Sequence, residues 1–490
     1  MAGRGLILAA PASGSGKTVV TAGLLRHLRR RGLRVAAAKA GPDFIDPTFH
    51  ALACGRPCPN LDPWAMRRGT LAAIAAGLAA DAELVLCEGV MGLFDGAGPD
   101  GEAGSTAELA RLTGWPVVLV VDARGQGASV AALLRGFVAH RPMHVGNISI
   151  VGVVFNRIAG ERHRDLLANA VARHLPGLSL LGALPADPEL ALPSRHLGLV
   201  PAGETTHAET VIERAAAEIG ARIDIERLLA AARRPPLPDA AAGARGVPPL
   251  GQRIAVARDD AFCFLYPHLL DGWRRAGAEL LLFSPLANEP PHPAADAVYL
   301  PGGYPELWAG HIATADGFLG GLRRAAAAGK PVYGECGGYM ALGDALIDAA
   351  GYRHAMARLL PLETSFAERR RRLGYRCATL LADAPLGPAG ARFRGHEFHY
   401  ATAIREEAAE PLWSATDAAG ADLGHYGLRR GSVFGSFVHL IDSAHLRDCS
   451  ACGRAQGVAE DDRRGEQQDG AGLMGSGERD RHDEQQGRDA

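Results

Sequence analysis

The N-terminal segment restricts the fold more than any other part of the chain. Residues 5–10 form an apolar run typical of a buried strand, residues 11–18 read PASGSGKT, and residues 19–30 have helical apolar spacing. A strand, a glycine-rich loop and a helix make a phosphate cradle, because backbone N–H groups and the helix N-terminus both favour phosphate. Pro11 replaces the first glycine of the usual motif. The segment predicts nucleotide binding by Gly14, Ser15, Gly16, Lys17 and Thr18.

Strand-like and helix-like segments continue to alternate after this loop. Further apolar runs of strand character are residues 33–39, 84–88, 115–122, 148–155 and 178–184. This order predicts an α/β fold whose N-terminal half is a doubly wound, mostly parallel sheet. The loops that follow the carboxyl ends of such strands form the functional site.

Polar side chains follow several of these predicted strands. Asp43 and Asp46 lie in KAGPDFIDP after the second strand, Glu88 ends the next, Asp95 lies on the loop beyond, and Asn156 ends a later strand. Glu88 has the position of a carboxylate that holds Mg²⁺ beside a P-loop, and the Thr18 hydroxyl is a second ligand. An acidic turn that caps a helix is the alternative interpretation of Asp43 and Asp46.

The second half contains a motif suited to a reactive thiol. Residues 330–340 read KPVYGECGGYM, in which a short strand stops at glycine and cysteine and runs into a helix. Such a turn exposes Cys336 in a strained conformation, and the helix N-terminus and the Gly337 N–H favour its thiolate. The pattern indicates a nucleophile for acyl transfer, with a buried cysteine in a tight turn as the alternative.

Two other segments complete this predicted site. Residues 297–306 run from a strand into PGGYPE, so the N–H of Gly303 can join that of Gly337 in an oxyanion hole. Residues 435–439 end on His439, a base for Cys336. These motifs resemble the class I glutamine amidotransferase domain, which releases ammonia from glutamine. That family usually has a glutamate two residues after the histidine, where this chain has Ile441. The difference fits the Cys–His branch found in corrinoid amide synthases, and the residue that orients His439 is unassigned.

A second resemblance covers residues 4–445. The P-loop, KAGPDFIDP, EGVMGLFDG and VVFNR segments together resemble the dethiobiotin-synthetase-like ATPases, specifically the cobyrinic and hydrogenobyrinic acid a,c-diamide synthases. Phe44 stands where close relatives often have tyrosine, so this chain lacks that hydroxyl.

The resemblance implies a glutamine-hydrolysing carbon–nitrogen ligase of cobalamin biosynthesis. ATP would activate the a and c carboxylates of a corrin ring as acyl phosphates, and ammonia would convert them to amides. The resemblance favours hydrogenobyrinate as the acceptor, and cobyrinate is the alternative acceptor. Thr18, Asp46 and Glu88 would hold Mg²⁺ with Asp43 beside them, and Asp95 would orient the substrate or intermediate.

Two other functions remain open at this stage. One is an amide synthase of the cobyric acid synthase type, which amidates other ring carboxylates. The other is a non-catalytic P-loop regulator with a degenerate amidotransferase domain, which predicts no glutaminase activity.

The domain boundaries follow from composition. Residues 1–232 are predicted to form the ATP-binding domain, residues 233–252 a linker rich in Pro, Ala and Gly, and residues 253–446 the amidotransferase-like domain. Residues 447–490 contain almost no large apolar side chain, which predicts a disordered tail.

Charge and composition exclude several classes of protein. A net charge of −2 gives no reason to expect nucleic acid as a partner. Apolar runs are too short or too interrupted for a membrane span, no signal peptide is evident, and eight scattered cysteines suit the cytoplasm. A homodimer is left open.

Three short motifs permit two interpretations each. Cys449 and Cys452 lack partners at metal-binding spacing, so a metal or redox role is disfavoured. Arg195 and His196 contact an acidic substrate or are surface charges. GHEFHY at residues 395–400 is a metal site or, as the context favours, a substrate or interface loop.

Overall fold

The computed structural model describes residues 3–142, 145–192, 194–195, 198–199, 202–204, 207–234, 246–406 and 409–444. The side chains of residues 194–195, 198–199 and 204 are outside this description. The predicted disordered tail, most of the predicted linker, the Cys449–Cys452 pair and the His196 position also lie outside it. All described residues belong to one compact unit, Met1–Cys449.

The described N-terminal residues form a sheet of seven parallel strands in the order β3-β2-β4-β1-β5-β6-β7. The strands are β1 (Arg4–Ala9), β2 (Val35–Ala40), β3 (Asn60–Leu61), β4 (Leu84–Glu88), β5 (Val117–Asp122), β6 (Ile150–Ile158) and β7 (Ser179–Pro185). An antiparallel pair of two-residue strands follows, formed by β8 (Ser194–Arg195) and β9 (Gly198–Leu199). The predicted doubly wound parallel sheet is confirmed, and the P-loop strand β1 lies at its centre.

Helices cover both faces of this sheet because successive strand side chains point to opposite sides. One core contains Leu6 and Leu8 of β1 and apolar residues of α1, α2, α7 and α8. The other contains Ile7 and Ala9 and apolar residues of α3 to α6. The helices are α1 (Lys17–Arg30), α2 (Asp46–Cys54), α3 (Arg68–Asp81), α4 (Thr106–Thr113), α5 (Val130–Ala139), α6 (Glu161–His174), α7 (His207–Arg222) and α8 (Ile225–Ala231), with short 3₁₀ turns at Pro188–Leu190 and Ala202–Glu204.

The described C-terminal residues form a larger mixed sheet in the order β11-β10-β12-β13-β22-β21-β20-β17-β18-β23. Its first five strands are parallel and the rest antiparallel. The strands are β10 (Arg253–Ala257), β11 (Glu279–Phe283), β12 (Ala297–Leu300), β13 (Val332–Glu335), β17 (Arg372–Leu380), β18 (Arg392–His399), β20 (Glu410–Thr416), β21 (Asp422–Arg430), β22 (Val433–Ser436) and β23 (Val438–Ala444).

A small second sheet and four helices accompany it. The small sheet pairs β15-β14-β16-β19, which are β14 (Ala345–Ile347), β15 (Arg353–Ala355), β16 (Leu362–Ser365) and β19 (Thr402–Glu406). The helices are α9 (Pro267–Arg275), α10 (Ala309–Ala313), α11 (Asp316–Ala327) and α12 (Gly337–Leu342), with a 3₁₀ turn at Pro305–Leu307. The predicted α/β character of this half is confirmed.

The two sheets meet through buried polar and aromatic contacts. Arg67, which precedes α3, donates to both carboxylate oxygens of Asp442 on β23, at 2.8 and 3.1 Å. Tyr375 donates to Asp62 at 2.9 Å and stacks on Trp64 with 4.4 Å between ring centroids. Asp442 lies three residues after His439, so this interface also fixes the strand that carries the predicted base.

Candidate active site

The P-loop is held in shape by residues at the end of β6. Gly14 and Gly16 have φ angles of 77° and 91°, and a side chain at position 16 would collide with the Asn156 amide. The Asn156 amide donates to the Ser15 carbonyl at 2.9 Å, and the Arg157 guanidinium donates to the Gly14 carbonyl at 2.7 Å. Asn156, predicted to bind the nucleotide, therefore supports the loop that would bind it.

Charged side chains gather where β2 and β4 end and α1 begins. This P-loop cluster comprises Lys17, Thr18, Lys39, Asp46, His50 and Glu88. Lys39 and Glu88 are register partners on adjacent parallel strands, which places the ammonium 3.5 Å from one carboxylate oxygen. The same ammonium lies 3.0 Å from Asp46. The Thr18 hydroxyl at 2.9 Å and His50 Nε2 at 2.5 Å also contact Glu88.

Burial and neighbouring charges shift the pKa values of the two acids in this cluster, Glu88 and Asp46, in opposite directions. Burial would raise the pKa of Glu88, but the Lys39 ammonium and the hydrogen bond from His50 outweigh it and lower the pKa to about 2. Burial and the neighbouring Asp43 raise the pKa of Asp46 to about 7. Burial disfavours the charged form of Lys39, yet Glu88 and Asp46 raise its pKa overall. Glu88 is therefore ionised at neutral pH, and Asp46 is near its titration point.

The other predicted residues of this half lie around the same loop. Lys17 donates to the Met91 carbonyl at 2.7 Å, and burial lowers the pKa of its ammonium. Asp95 is exposed and accepts one backbone N–H at 2.8 Å. Asp43 accepts two backbone N–H groups at the start of α2, at 2.6 and 2.9 Å. One oxygen of Asp43 thus has the capping role that was the alternative interpretation.

The donor atoms of the P-loop cluster fit a magnesium ion. The Thr18 hydroxyl and the Glu88 carboxylate lie side by side, and Mg²⁺ prefers such oxygen ligands. Among the described residues, no three His, Cys, Asp or Glu side chains form a metal-binding group. A magnesium ion held by Thr18, Glu88 and Asp46 would complete its coordination with phosphate and water oxygens.

A cavity opens beside the P-loop. Its volume is 320 Å³, and residues of α1, β7 and α7 line it together with Asn156 and Arg157. Val20, Leu184 and Ile219 contribute apolar surface. A cavity with apolar walls next to a phosphate loop suits the flat base of a nucleotide.

Cys336 lies in the sharp turn that the sequence predicts between β13 and α12. Its φ of 49° and ψ of −106° are rare for a residue with a side chain. A side chain at Gly338 would collide with the Leu300 carbonyl, and one at Gly334 with the Gly338 backbone. Both glycines are therefore required for the close approach that holds the cysteine in this conformation.

The residues predicted for amide cleavage come together around this turn. We call Gly302, Gly303, Cys336, Gly337 and His439 the thiol cluster. A side chain at Gly302 would collide with the His439 imidazole and lie 3.2 Å from Cys336 Cβ. The Gly303 nitrogen lies 3.1 Å from the point where a Cβ of Gly337 would be. The predicted nucleophile, base and oxyanion groups are neighbours in the structure.

The thiol cluster is buried and has uncharged resting groups. Burial, with a smaller effect of Glu306, raises the pKa of the Cys336 thiol. Burial, with smaller effects of His396 and His399, lowers the pKa of His439 to about 3. The Gly337 N–H lowers the pKa of this thiol, as the sequence predicts, but desolvation outweighs it. The predicted exposure of the Cys336 side chain is wrong, because the side chain is buried.

A second cavity joins the two halves. Its volume is 400 Å³, and Asp43, Phe44 and Met91 line one side while Tyr375, Phe398 and His439 line the other. The Phe44 ring lies 4.9 Å from the His439 ring and 4.9 Å from that of Phe264. Asp43 and Met91 belong to the surroundings of the P-loop cluster, so this cavity adjoins both predicted sites.

Family models match both halves of the chain. The CobQ/CobB/MinD/ParA nucleotide binding domain matches residues 6–200, and the CobB/CobQ-like glutamine amidotransferase domain matches residues 253–445. Hydrogenobyrinate a,c-diamide synthase of Brucella suis biovar 1 (strain 1330) is 53% identical over 90% of this chain and 98% of its own. This chain belongs to the hydrogenobyrinate a,c-diamide synthase family.

Other members and a solved structure give the extent of the similarity. Hydrogenobyrinate a,c-diamide synthase of Rhodobacter capsulatus is 54% identical over 89% of this chain and 98% of its own. The structure of PurLQS from Thermotoga maritima covers 38% of this chain and 86% of its own at 17% identity, and its TM-score of 0.29 is too low to carry an argument. The family that the sequence motifs resemble is confirmed.

The GHEFHY segment of this family member lies in strand β18, so the predicted loop is wrong. Glu397 accepts from Arg376 at 2.7 Å and contacts His399 at 2.9 Å. His396 points instead to the cavity between the halves. Alternation along the strand separates the two imidazoles, and no metal group forms among the described residues.

Sequence reasoning left several residues of these clusters without a role. Lys39, His50 and Glu335 were present in or beside quoted motifs, but their contacts depend on which strands are adjacent. Lys39 is a lysine at the end of an apolar strand, which is a rare pattern that indicates a buried ion pair. Among the described residues, no helix combines the length and the apolar character that a membrane span requires.

Proposed function

We propose that this protein converts the a and c carboxylates of hydrogenobyrinate to amides, using ATP and the side-chain nitrogen of glutamine. The observation that carries the proposal is the 400 Å³ cavity lined by the surroundings of both clusters. A shared cavity allows ammonia released in one half to reach an acceptor activated in the other. The name of the Brucella suis relative supplies the acceptor, hydrogenobyrinate. The resemblance to the corrinoid amide synthases implies a place in cobalamin biosynthesis.

The thiol cluster would release the ammonia. His439 takes the proton of the Cys336 thiol as the sulfur attacks the glutamine side-chain carbonyl, and the oxyanion faces the N–H groups of Gly303 and Gly337. The C–N bond then breaks while His439 returns the proton to the departing ammonia. Water hydrolyses the thioester, which yields glutamate and the free thiol.

The P-loop cluster would activate the acceptor. A substrate carboxylate oxygen attacks the γ-phosphorus of ATP, ADP departs, and an acyl phosphate forms. Lys17 and the loop N–H groups stabilise charge on the transferring phosphoryl group. Ammonia then attacks the acyl carbon and phosphate departs, which leaves the amide.

The remaining residues of the N-terminal half have supporting roles in this proposal. When bound, Mg²⁺ would neutralise charge on the phosphates, and Thr18, Asp46 and Glu88 are its proposed ligands. Asp43 would lie beside the transferred group, and Asp95 would orient the substrate. The 320 Å³ cavity would receive the adenine base, behind the loop that Asn156 supports.

Other predictions remain proposals of the same kind. Residues 1–232 would form the ATP-dependent domain and residues 253–446 the glutaminase domain, joined by residues 233–252. The reaction would take place in the cytoplasm, and the oligomeric state stays open.

A mass-spectrometric assay tests the proposal. The protein receives ATP, Mg²⁺ and glutamine, with hydrogenobyrinic acid in one tube and cobyrinic acid in another. We expect a doubly amidated product, formed faster from hydrogenobyrinic acid. Intact glutaminase activity without product in either tube would overturn the acceptor, and product at other ring positions would indicate a cobyric acid synthase-like reaction.

A further inference from the structure

The predicted base of the thiol cluster lacks an obvious orienting group. Neither ring nitrogen of His439 has a hydrogen-bond partner among the described residues. Ile441, two residues later, is apolar and buried, so it cannot accept a proton from the imidazole. A neutral imidazole must hold its proton on one nitrogen to act as a base through the other.

Glu335, the residue before the nucleophile, places a carboxylate beside His439. Its Oε2 lies 3.9 Å from His439 Nδ1, and both side chains are buried, with 2% and 1% exposure. This distance exceeds a hydrogen bond by roughly 1 Å. Catalytic hydrogen bonds are often long without substrate and shorten in the complex, so the two groups are within reach.

Three donors fix the Glu335 carboxylate in this position. Tyr299 donates to Oε2 at 2.8 Å, and Tyr333 donates to Oε1 at 3.0 Å. The Leu440 N–H donates to Oε1 at 3.1 Å. Because Leu440 follows His439, the carboxylate is attached to the strand segment that carries the imidazole.

Apart from these three hydrogen bonds, the surroundings of Glu335 disfavour an ionised carboxylate. Burial raises its pKa to about 7 although the Leu440 N–H and both tyrosines favour its charged form. No lysine or arginine among the described residues forms an ion pair with it, so its carboxylate is retained at a desolvation cost. A nearby imidazole that becomes positively charged during the reaction gives this buried acid a function.

We infer that Glu335 is the positioning residue of His439, in place of the glutamate missing at position 441. Glu335 accepts the Nδ1 proton of His439, which leaves Nε2 to take the Cys336 proton. It then stabilises the imidazolium and does not itself take the proton. This inference rests on the proposed roles of Cys336 and His439.

Glu397, the other buried acid near the cysteine, does not fill this position. Its carboxylate already pairs with Arg376 at 2.7 Å and with His399 at 2.9 Å. His399 in turn uses its other nitrogen on the Ala401 carbonyl at 3.0 Å. That group is a closed network, whereas Glu335 faces a base without partners among the described residues.

Glu335→Gln tests the inference, because it keeps the shape of the side chain and removes its charge. We expect the glutamine-dependent kcat to fall about 10²-fold or more. The KM for glutamine should stay within about twofold, and the ammonium-dependent rate should not change, since the acceptor site is separate. Glu279→Gln, an exposed acid on β11, is the control and should keep full activity. An unchanged ammonium-dependent rate also shows that the variant folds.

A double-mutant cycle separates positioning from general support of the fold. In a His439→Asn background, Glu335→Gln should cost no further activity, because it acts through the imidazole. Equal losses in both backgrounds, or full glutaminase activity of Glu335→Gln alone, would overturn the inference. Full glutaminase activity of His439→Asn alone would instead overturn the proposed Cys336–His439 pair.

Discussion

The P-loop cluster and the thiol cluster handle buried ionisable groups in opposite ways. In the P-loop cluster, Lys39 stands between Glu88 and Asp46, and the charges are compensated before any ligand binds. In the thiol cluster, burial raises the pKa of Cys336 and lowers that of His439 to about 3, so the neutral forms prevail. The P-loop cluster therefore presents compensated charges to a highly charged substrate. The thiol cluster favours the neutral form of its nucleophile before an amide binds.

This difference follows from the sheet positions of the residues. Lys39 and Glu88 end adjacent parallel strands, which forces their side chains together. The His439 ring lies against Phe44 and Phe264, and glycine backbone lies beside Cys336, so both groups are poorly solvated.

Among changes to the P-loop cluster, the largest effect is expected from Glu88→Gln. Removing this charge deprives Lys39 of one of its two carboxylate partners and the Thr18–Glu88 pair of its carboxylate, so acceptor activation should fail. Product formation should fall about 10³-fold with glutamine and with ammonium alike, as measured by mass spectrometry. Glu83→Gln, an exposed acid just before β4, serves as the control and should keep full activity. Full ammonium-dependent turnover in Glu88→Gln would show that Glu88 has no part in activation.

A smaller effect is expected from Lys39→Met. The change leaves the buried Glu88 and the partly buried Asp46 without the Lys39 ammonium, and breaking a buried ion pair in this way typically costs about 3–5 kcal/mol of unfolding free energy. ATP-dependent amidation should fall about 10²-fold while glutaminase activity at 25 °C persists. Denaturant unfolding and separate assays of glutamate and amide measure these effects.

Lys330→Met is the matched control for Lys39→Met. Lys330 donates to the carbonyls of Pro293 and Ala295 at 3.0 and 2.5 Å, with no carboxylate among these partners. Its replacement should cost about 1–2 kcal/mol and leave amidation intact. Equal losses in both variants would remove the distinction between a compensated charge cluster and ordinary hydrogen bonds.

The smallest effect concerns the resting reactivity of Cys336. Because burial raises the pKa of this thiol, little thiolate is present at neutral pH. Alkylation by iodoacetamide at pH 7.5 should be at least about tenfold slower than that of free cysteine, and its rate should still rise at pH 9. Mass spectrometry of the Cys336 peptide measures the alkylation rate. The Cys336→Ala variant, which lacks this thiol, confirms that the signal comes from Cys336. A rate independent of pH between 6 and 9 would indicate a preformed thiolate.

Local patterns predicted much of this molecule. The P-loop and the turn at Cys336 need particular glycines within a few residues, so their sequences are sufficient to identify them. The alternation of strands and helices likewise predicted the parallel sheet. The strained φ of Cys336 follows from the same local requirement.

Contacts between distant strands could not be predicted in this way. The position of Lys39 beside Glu88 depends on β2 lying next to β4, which neither segment encodes alone. The supporting role of Asn156 requires β6 to end behind the P-loop. The approach of Glu335 to His439 requires β13 to pair with β22, the strand that leads into His439. The burial of Cys336 was also missed, because burial is a property of the whole fold, and its effect on the thiol pKa outweighs that of the Gly337 N–H.

The division of labour between the two clusters is tested most directly with Cys336→Ala. The variant and the wild-type protein would each receive ATP, Mg²⁺ and hydrogenobyrinic acid, with either glutamine or ammonium as the nitrogen source, and the diamide would be measured by mass spectrometry. We expect the variant to form no diamide from glutamine, a loss of at least about 10⁴-fold, and to match the wild-type rate with ammonium. Loss of both activities in a folded variant would contradict the separation of ammonia release from carboxylate activation.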